Sequence, residues 1–380
     1  MSNIAIPYWR LSGFYFFNCA VLGAILPYWG LYMQSGGYNT WQIGFIGSIL
    51  LATNIAAPNV WGWLCDRFNQ RRMRVIRMGT FVGCVSFAGV FFESGFGLMC
   101  LFIAGCSFCW QGLNSQFEMI TLAHLQHQSH RYGRIRLWGS IGFIAAVFGL
   151  GWLFDQISLQ WLPAITLLFL LCMWGVTLTI ENKTTASANE PQGSFLQALK
   201  PQVVWATLLS MLILYISMGS YLTFFSLYLQ QAGYDKTTTG SLWSLAVVAE
   251  ILMFLLMPLL MTRYSIRSLL LVSLGLTGLR WLGIAAYPDS LPLLVILQSL
   301  HAFSFSVTHT VVMQVIRQFI PVNCQGRGQA LYSSLCMGIG GALGAALAGW
   351  IWPLGPGLAF YMASGFAVLA ILPVWKWVKS

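Results

Sequence analysis

Residues 31–48 read LYMQSGGYNTWQIGFIGS, and residues 227–244 read LYLQQAGYDKTTTGSLWS. Seven of these eighteen positions are identical at a constant offset of 196: Leu31/Leu227, Tyr32/Tyr228, Gln34/Gln230, Gly37/Gly233, Tyr38/Tyr234, Gly44/Gly240 and Ser48/Ser244. Polar and glycine positions match as well as apolar ones, which chance similarity between apolar segments does not favour. Each copy sits between the first and second apolar run of its half of the chain. The stretch therefore reads as an internal repeat. Two repeats related by an axis along the membrane normal are a transporter architecture, with the substrate site between the halves near the midplane.

Composition points the same way. Of 380 residues, 58% are hydrophobic and only 7% charged, against about 25% charged in soluble proteins. That is too little polar surface for a water-soluble globule, so the chain is expected to be an integral membrane protein. The net charge of +10 does not make it a nucleic-acid binder, because its Lys and Arg lie in short gaps between apolar runs rather than in a basic groove. Most of the nine cysteines also lie inside apolar stretches, where they behave as small hydrophobes. Cys106 and Cys109 read as packing rather than as a metal pair, and no metal or cofactor is expected.

A membrane-crossing helix needs about 20 mostly apolar residues. Twelve such runs are present: 8–33, 41–64, 75–92, 96–122, 137–154, 161–180, 202–230, 239–262, 268–287, 291–316, 328–350 and 356–377. The first is too long for a signal peptide and has no small-residue cleavage site. Sixteen of the nineteen Lys and Arg residues fall in the even-numbered gaps and at the termini, whereas the odd-numbered gaps hold only Lys236. By the positive-inside rule both termini are expected in the cytoplasm. The gap 181–201 is polar, small and Pro/Gly-bearing, which is linker composition. The expected organisation is an all-α membrane protein with an N-terminal six-helix bundle over 1–180, a cytoplasmic linker over 181–201 and a C-terminal six-helix bundle over 202–380.

The gap after the second span reads Gly62-x-Leu64-x-Asp66-Arg67-x-Asn69-x-Arg71-Arg72. It resembles the G-x-L-x-D-R-x-G-R-R signature of the major facilitator superfamily. Asn69 replaces the usual glycine, and Asn tolerates a left-handed turn better than most residues. The resemblance implies that Gly62, Asp66, Arg67 and Arg71 belong to a cytoplasmic gate, with Asp66 at a helix end pairing with basic groups. An ordinary positive-inside loop would show the same arginines. The matching place in the second half, residues 257–263, keeps only Arg263.

Ionisable groups at bilayer depth are functional candidates by default. Six qualify: Glu118, Arg136, Glu250, Arg280, His301 and His309. Chain direction puts Glu118 and Arg136 at similar depth near the cytoplasmic side, so they could pair. Arg136 could equally be an interfacial arginine snorkelling to water. Glu250, Arg280 and His301 reach overlapping depths in the second half. His309 lies two turns beyond His301 on nearly the same face, and a lone membrane histidine can simply hydrogen-bond a neighbouring helix.

Two closer resemblances follow from these residues. Tyr132-Gly-Arg134-Ile-Arg136-Leu-Trp138-Gly-Ser140 is similar to the stretch in which the lactose-permease-like branch carries a sugar-binding arginine. The branch's essential glutamate lies eighteen residues upstream, which is the spacing of Glu118. Ser299-Leu300-His301 and Arg280 match that branch's coupling histidine and arginine, but its proton-carrying glutamate would be Ser304 here. The phenylpropionate permease family is a closer likeness still, through 240–250 (GSLWSLAVVAE), Leu279-Arg280-Trp281, Leu300-His301…His309 and 136–140 (RLWGS). Where this chain has Glu118, that family has an aspartate. The likeness implies proton-coupled uptake of 3-phenylpropionate.

The expected function is therefore secondary active transport by alternating access: proton symport of a small aromatic carboxylate such as 3-phenylpropionate. Arg280, Arg136, Glu118 and His301 are the expected substrate-binding residues. Glu250, Glu118 and His301 are the expected proton-coupling residues. An arginine held by a glutamate cannot offer its fork to a carboxylate, and protonating the glutamate would free it. Trp110, Phe117, Trp243, Trp281, Phe303 and Phe305 could stack on a phenyl ring, or could simply pack or face lipid. Gly338, Gly340, Gly341, Gly344 and Gly349 form a small-residue face that permits close helix contact. A proton-coupled sugar or nucleoside transporter of the same fold is the alternative. A membrane enzyme would need a catalytic cluster near an interface, and the only His-rich stretch, His124 to His130, has no acidic partner, so no enzymatic activity is expected. The expected partners are a small-molecule substrate, a proton and the lipid bilayer, with no nucleic acid. The expected setting is the cytoplasmic (inner) membrane, as a monomer.

Overall fold

The computed structural model describes residues 6–92, 95–183 and 195–378. Residues 184–194 of the linker, Lys379 and the side chains of His127 and His130 lie outside the described residues. Within them, twelve helices are long and apolar enough to cross a membrane. They are α1 (Tyr8–Ser35), α2 (Thr40–Arg67), α3 (Asn69–Phe91), α4 (Phe96–Leu125), α5 (Tyr132–Gln156), α6 (Leu159–Leu178), α7 (Gln202–Gln231), α8 (Lys236–Arg263), α9 (Ile266–Ala286), α10 (Leu291–Phe319), α11 (Gln325–Leu354) and α12 (Pro356–Trp377). No strand occurs among the described residues. Within α1–α6 and within α7–α12 successive helices are separated by only a few residues and run antiparallel. The arginine-bearing turns then share one end of the bundle, called here the basic end.

The repeat has a local physical cause in each copy. Gly37 and Gly233 have φ of 82° and 85°, a left-handed conformation that a Cβ disfavours and that ends helices α1 and α7. Two residues on, Asn39 and Asp235 cap the next helix: Asn39 Oδ1 accepts from Gln42 N at 2.9 Å, and Asp235 Oδ1 accepts from Thr238 N at 2.7 Å. Gln42 also accepts from the Asn39 backbone at 3.0 Å, which closes a capping box. Gly44 and Gly240, one turn further, are contact points between the first and the last six helices. A Cβ at Gly44 would meet Gly349 of α11 at 2.7 Å, and one at Gly240 would meet the Val147 carbonyl of α5 at 2.6 Å. The repeated sequence is thus a helix stop, a helix start and a close-approach site.

At the basic end, α2 runs through to Arg67, and Phe68 (φ −111°, ψ 38°) makes the turn. Asn69 opens a 3₁₀ turn and is not among the residues with positive φ. The left-handed turn expected there is not made, because Phe68 takes up the change of direction first. Asp66 sits in the last turn of α2 and pairs with Arg72 at 2.5 Å, with the Asp66 side chain 75% exposed. Arg77 fastens α3 to the end of α6, donating to the carbonyls of Thr177 (3.0 Å) and Ile180 (2.7 Å).

The glycines of α11 serve two neighbours. Cβ atoms at Gly338, Gly341 and Gly349 would meet residues of α2, whereas those at Gly340 and Gly344 would meet α7. At Gly344 the obstacle is the Ile216 carbonyl, a backbone group that cannot turn aside. Gly344→Leu should therefore cost roughly 3 kcal/mol through overpacking, read as a lowered unfolding temperature of the detergent-solubilised protein. Gly275→Leu, at a position with nothing within 4 Å, should leave it unchanged.

Candidate functional site

Four of the six intramembrane ionisable residues lie on three helices of the second half, and three of them form one chain of contacts. Glu250 of α8 meets His301 of α10 at 2.7 Å, Oε1 to Nε2. His301 Nδ1 lies 2.9 Å from Arg280 Nη1 of α9. Arg280 Nη2 donates to Gln298 Oε1 at 2.6 Å. Arginine has donors only, so Nδ1 must accept, and the imidazole proton then sits on Nε2 and points at Glu250. The tautomer is assigned from these partners. Glu250 and Arg280 are therefore not in direct contact: a neutral imidazole stands between carboxylate and guanidinium. The direct hold expected between an arginine and a glutamate is replaced by this relay, because His301 projects from α10 into the space between α8 and α9.

Arg280 is fully buried, where a charge needs partners to persist. Its guanidinium stacks over the rings of Tyr221 (4.4 Å) and Trp281 (4.2 Å), a favourable desolvated cation–π arrangement. Its Nε has no hydrogen-bond partner. Gln298 also reaches the Tyr221 hydroxyl at 3.3 Å and the Leu242 carbonyl at 3.4 Å, so it ties α7, α8, α9 and α10 together. Glu250 is the half-buried member of the set. Directly after His301, α10 opens into a π-helical segment, Phe303–Val307, a backbone irregularity often found at functional sites. Ser304, which stands where the lactose-permease-like branch has its glutamate, is buried and accepts from Thr277 at 2.9 Å.

Glu118 and Arg136 do not form the pair that their depth allowed. Among the described residues the ion pairs are Arg72–Asp66, Lys236–Asp155 and His301–Glu250. Arg136 lies over the Tyr15 ring at 5.3 Å and its Nη1 is 3.9 Å from Cys19 Sγ. The residue is exposed, and Glu118 is half-buried. Similar depth on two helices does not fix the direction in which the side chains point. Around them, Tyr15 hydrogen-bonds Thr121 at 3.2 Å, and Asn18 donates to Asn114 at 3.4 Å.

The aromatic candidates are largely packed against one another. Trp243 and Trp281 surround Tyr221 at 4.6 and 5.3 Å, and their indole N–H groups donate to Ser226 and Ser217. Phe117 stacks on Phe14 at 3.5 Å, and Phe305 stacks on His309 at 5.6 Å. His309 Nδ1 is buried without a partner. Sequence reasoning missed Gln298 and Tyr221. Gln298 had a signal, an amide one turn before His301 in an apolar run. Tyr221 had none, because its role depends on three other helices.

Twelve apolar helices of membrane-crossing length, with a linked acid, histidine and arginine among α7–α10, fit a polytopic membrane transporter. A family model described as "MFS_1 like family" matches residues 8–362, and the chain belongs to that family of the major facilitator fold. Among curated proteins it is 29% identical over 374 residues to one described as "Probable 3-phenylpropionic acid transporter" from Escherichia coli (strain K12), covering 93% of this chain and 94% of the relative. It is 26% identical to a maltose permease of Geobacillus stearothermophilus, covering 92% and 89%. A crystal structure of the nucleoside transporter NupG superposes with a TM-score of 0.82 at 18% identity, covering 98% of this chain and 99% of that one. The protein is thus a multi-pass membrane transporter of the major facilitator fold.

Proposed function

We propose that this transporter couples uptake of a small aromatic carboxylate, of the 3-phenylpropionate class, to a proton bound at Glu250. The observation that carries the reading is the relay Glu250–His301–Arg280. In the resting arrangement His301 donates from Nε2 and accepts at Nδ1. A proton entering at Glu250 turns the carboxyl into a donor toward Nε2, which moves the imidazole proton to Nδ1. A proton held by the imidazole itself also leaves Nδ1 protonated. In both cases two donors face each other across the 2.9 Å contact, and Arg280 must let go. Its Nη1 then becomes available to a substrate carboxylate, and with the neighbouring Nη2, which is shared with Gln298, it forms the end-on bidentate fork. Anion and proton binding are thereby linked.

Arg136, exposed and without a carboxylate partner among the described residues, supplies a second positive group on the first-half side, and Glu118 belongs to the same side of the proposed site. With the basic end in the cytoplasm, the tight contacts at Gly44, Gly151 and Gly240 lie at the outer end, and the conformer is read as open inward. The 29% identity with a relative described as "Probable 3-phenylpropionic acid transporter" supports the substrate class, and the inner membrane is the proposed setting. The bundle boundaries at 180 and 202 and the monomeric state are part of the same proposal.

The test is uptake of radiolabelled 3-phenylpropionate into proteoliposomes with and without an inward proton gradient. Accumulation above the equilibrium level only with the gradient is the expected result. Absence of uptake by folded protein, with uptake of maltose or a nucleoside instead, would remove the aromatic acid and leave the fold.

A further inference from the structure

We propose that Asp155 is a one-sided latch that holds the end of the molecule opposite the basic loops closed, by capping a helix of the other half. The inference rests on the alternating-access reading, and its test does not depend on the substrate. Asp155 lies in the last turn of α5. Its Oδ1 accepts from the backbone N of Lys236 at 3.0 Å, and its Oδ2 accepts from the backbone N of Thr237 at 2.8 Å and from Thr237 Oγ1 at 2.6 Å. The Lys236 ammonium is 3.6 Å away. Lys236 and Thr237 open α8, and their N–H groups have no partner within the helix. The helix's own cap, Asp235, reaches only Thr238 N by side chain. The α8 N-terminus is therefore completed by a carboxylate from the other half, where the helix dipole also favours negative charge.

The close packing that makes this possible is one turn away. A Cβ at Gly151 would meet the Lys236 carbonyl at 2.5 Å, and Gly240 sits against Val147. Separating the halves at this end breaks every Asp155 contact at once. The quasi-equivalent junction, α2 against α11, lacks such a group. The residue offset by 196 from Asp155 is Ile351, and the capping box at the α2 start, Asn39 with Gln42, draws on no group from the other half. The latch belongs to one repeat only. At the basic end Asp66 is meanwhile paired within its own half and largely exposed. One acidic group is engaged across the halves while the other is not.

Asp155→Asn keeps the shape but turns an NH₂ toward the N–H donors, so the population open at this end should rise about tenfold, the scale of losing a charge-assisted hydrogen bond. Hydrogen–deuterium exchange of the full-length protein in nanodiscs reads this out. The expected result is faster exchange, by about tenfold, at residues 236–239 and also at the distant α2/α11 junction, 40–48 and 345–352. Thr237→Val, which removes only the hydroxyl donor, should act in the same direction and less strongly. Asp235→Ala, which removes the helix's own cap, should change 236–239 alone. If Asp155→Asn and Thr237→Val also change 236–239 alone, Asp155 is a local cap and the latch is wrong. Loss of 3-phenylpropionate uptake by the wild type would instead count against the proposed substrate, since exchange at the two junctions is scored without it.

Discussion

Glu250→Gln is expected to abolish gradient-driven accumulation of 3-phenylpropionate while leaving substrate exchange across the membrane intact. Glutamine can present either its carbonyl or its NH₂ to His301 Nε2. Both arrangements of the imidazole stay accessible, and so does release of Arg280, but no proton accompanies them. A gradient of about one pH unit can drive roughly tenfold accumulation in a coupled transporter, since 1.4 kcal/mol is a factor of ten. In the variant that factor should fall to unity, and the affinity for the anion should no longer change with pH. Accumulation that survived would move the proton to Glu118 or His301. The contrast between lost accumulation and retained counterflow separates uncoupling from misfolding.

Arg280→Lys is expected to weaken substrate binding roughly 100-fold, measured as the dissociation constant in detergent. A lysine has one compact ammonium where arginine has a planar fork. It cannot bond His301 and Gln298 with separate arms, as Arg280 does at 2.9 and 2.6 Å, nor offer a carboxylate two parallel donors. Hydrogen bonds to charged groups contribute about 1.5–3 kcal/mol each, and losing about 3 kcal/mol is roughly the stated factor. Arg136→Lys serves as the comparison. If that variant loses binding and Arg280→Lys does not, the carboxylate is held on the first-half side and Arg280 is structural.

Much of the fold was legible because its signals are local. The repeat at 31–48 and 227–244 marks equivalent places in the two halves, and its local cause is structural: Gly37 and Gly233 end helices in a left-handed conformation, and Asn39 and Asp235 cap the next ones. The alternation of arginines marks one end of the bundle. Each of these is decided within a few residues of chain. The site was legible only as a set of depths. Glu250, Arg280 and His301 could be placed at a common level from span direction, and the structure brings them together. Glu118 and Arg136 could be placed equally well and are not paired, because depth along a helix leaves its rotation open. Gln298 is one turn from His301, yet its bonds to Arg280, Tyr221 and Leu242 depend on how four helices are rotated. Asp155 was hidden for a related reason. In sequence it is an acid at the end of a span, and only the approach of α8, permitted by Gly151 and Gly240, gives its carboxylate two backbone N–H groups to accept from.

In the proposed mechanism one protonation switches Arg280 from His301 to the substrate. The most direct test is the proton balance of binding. Purified protein in weakly buffered detergent solution is mixed with 3-phenylpropionate near neutral pH, and the pH change is recorded against the anion bound. The expected result is one proton taken up with each anion by the wild type, and anion binding with no uptake by Glu250→Gln. Anion binding by the wild type with no proton taken up would contradict the mechanism.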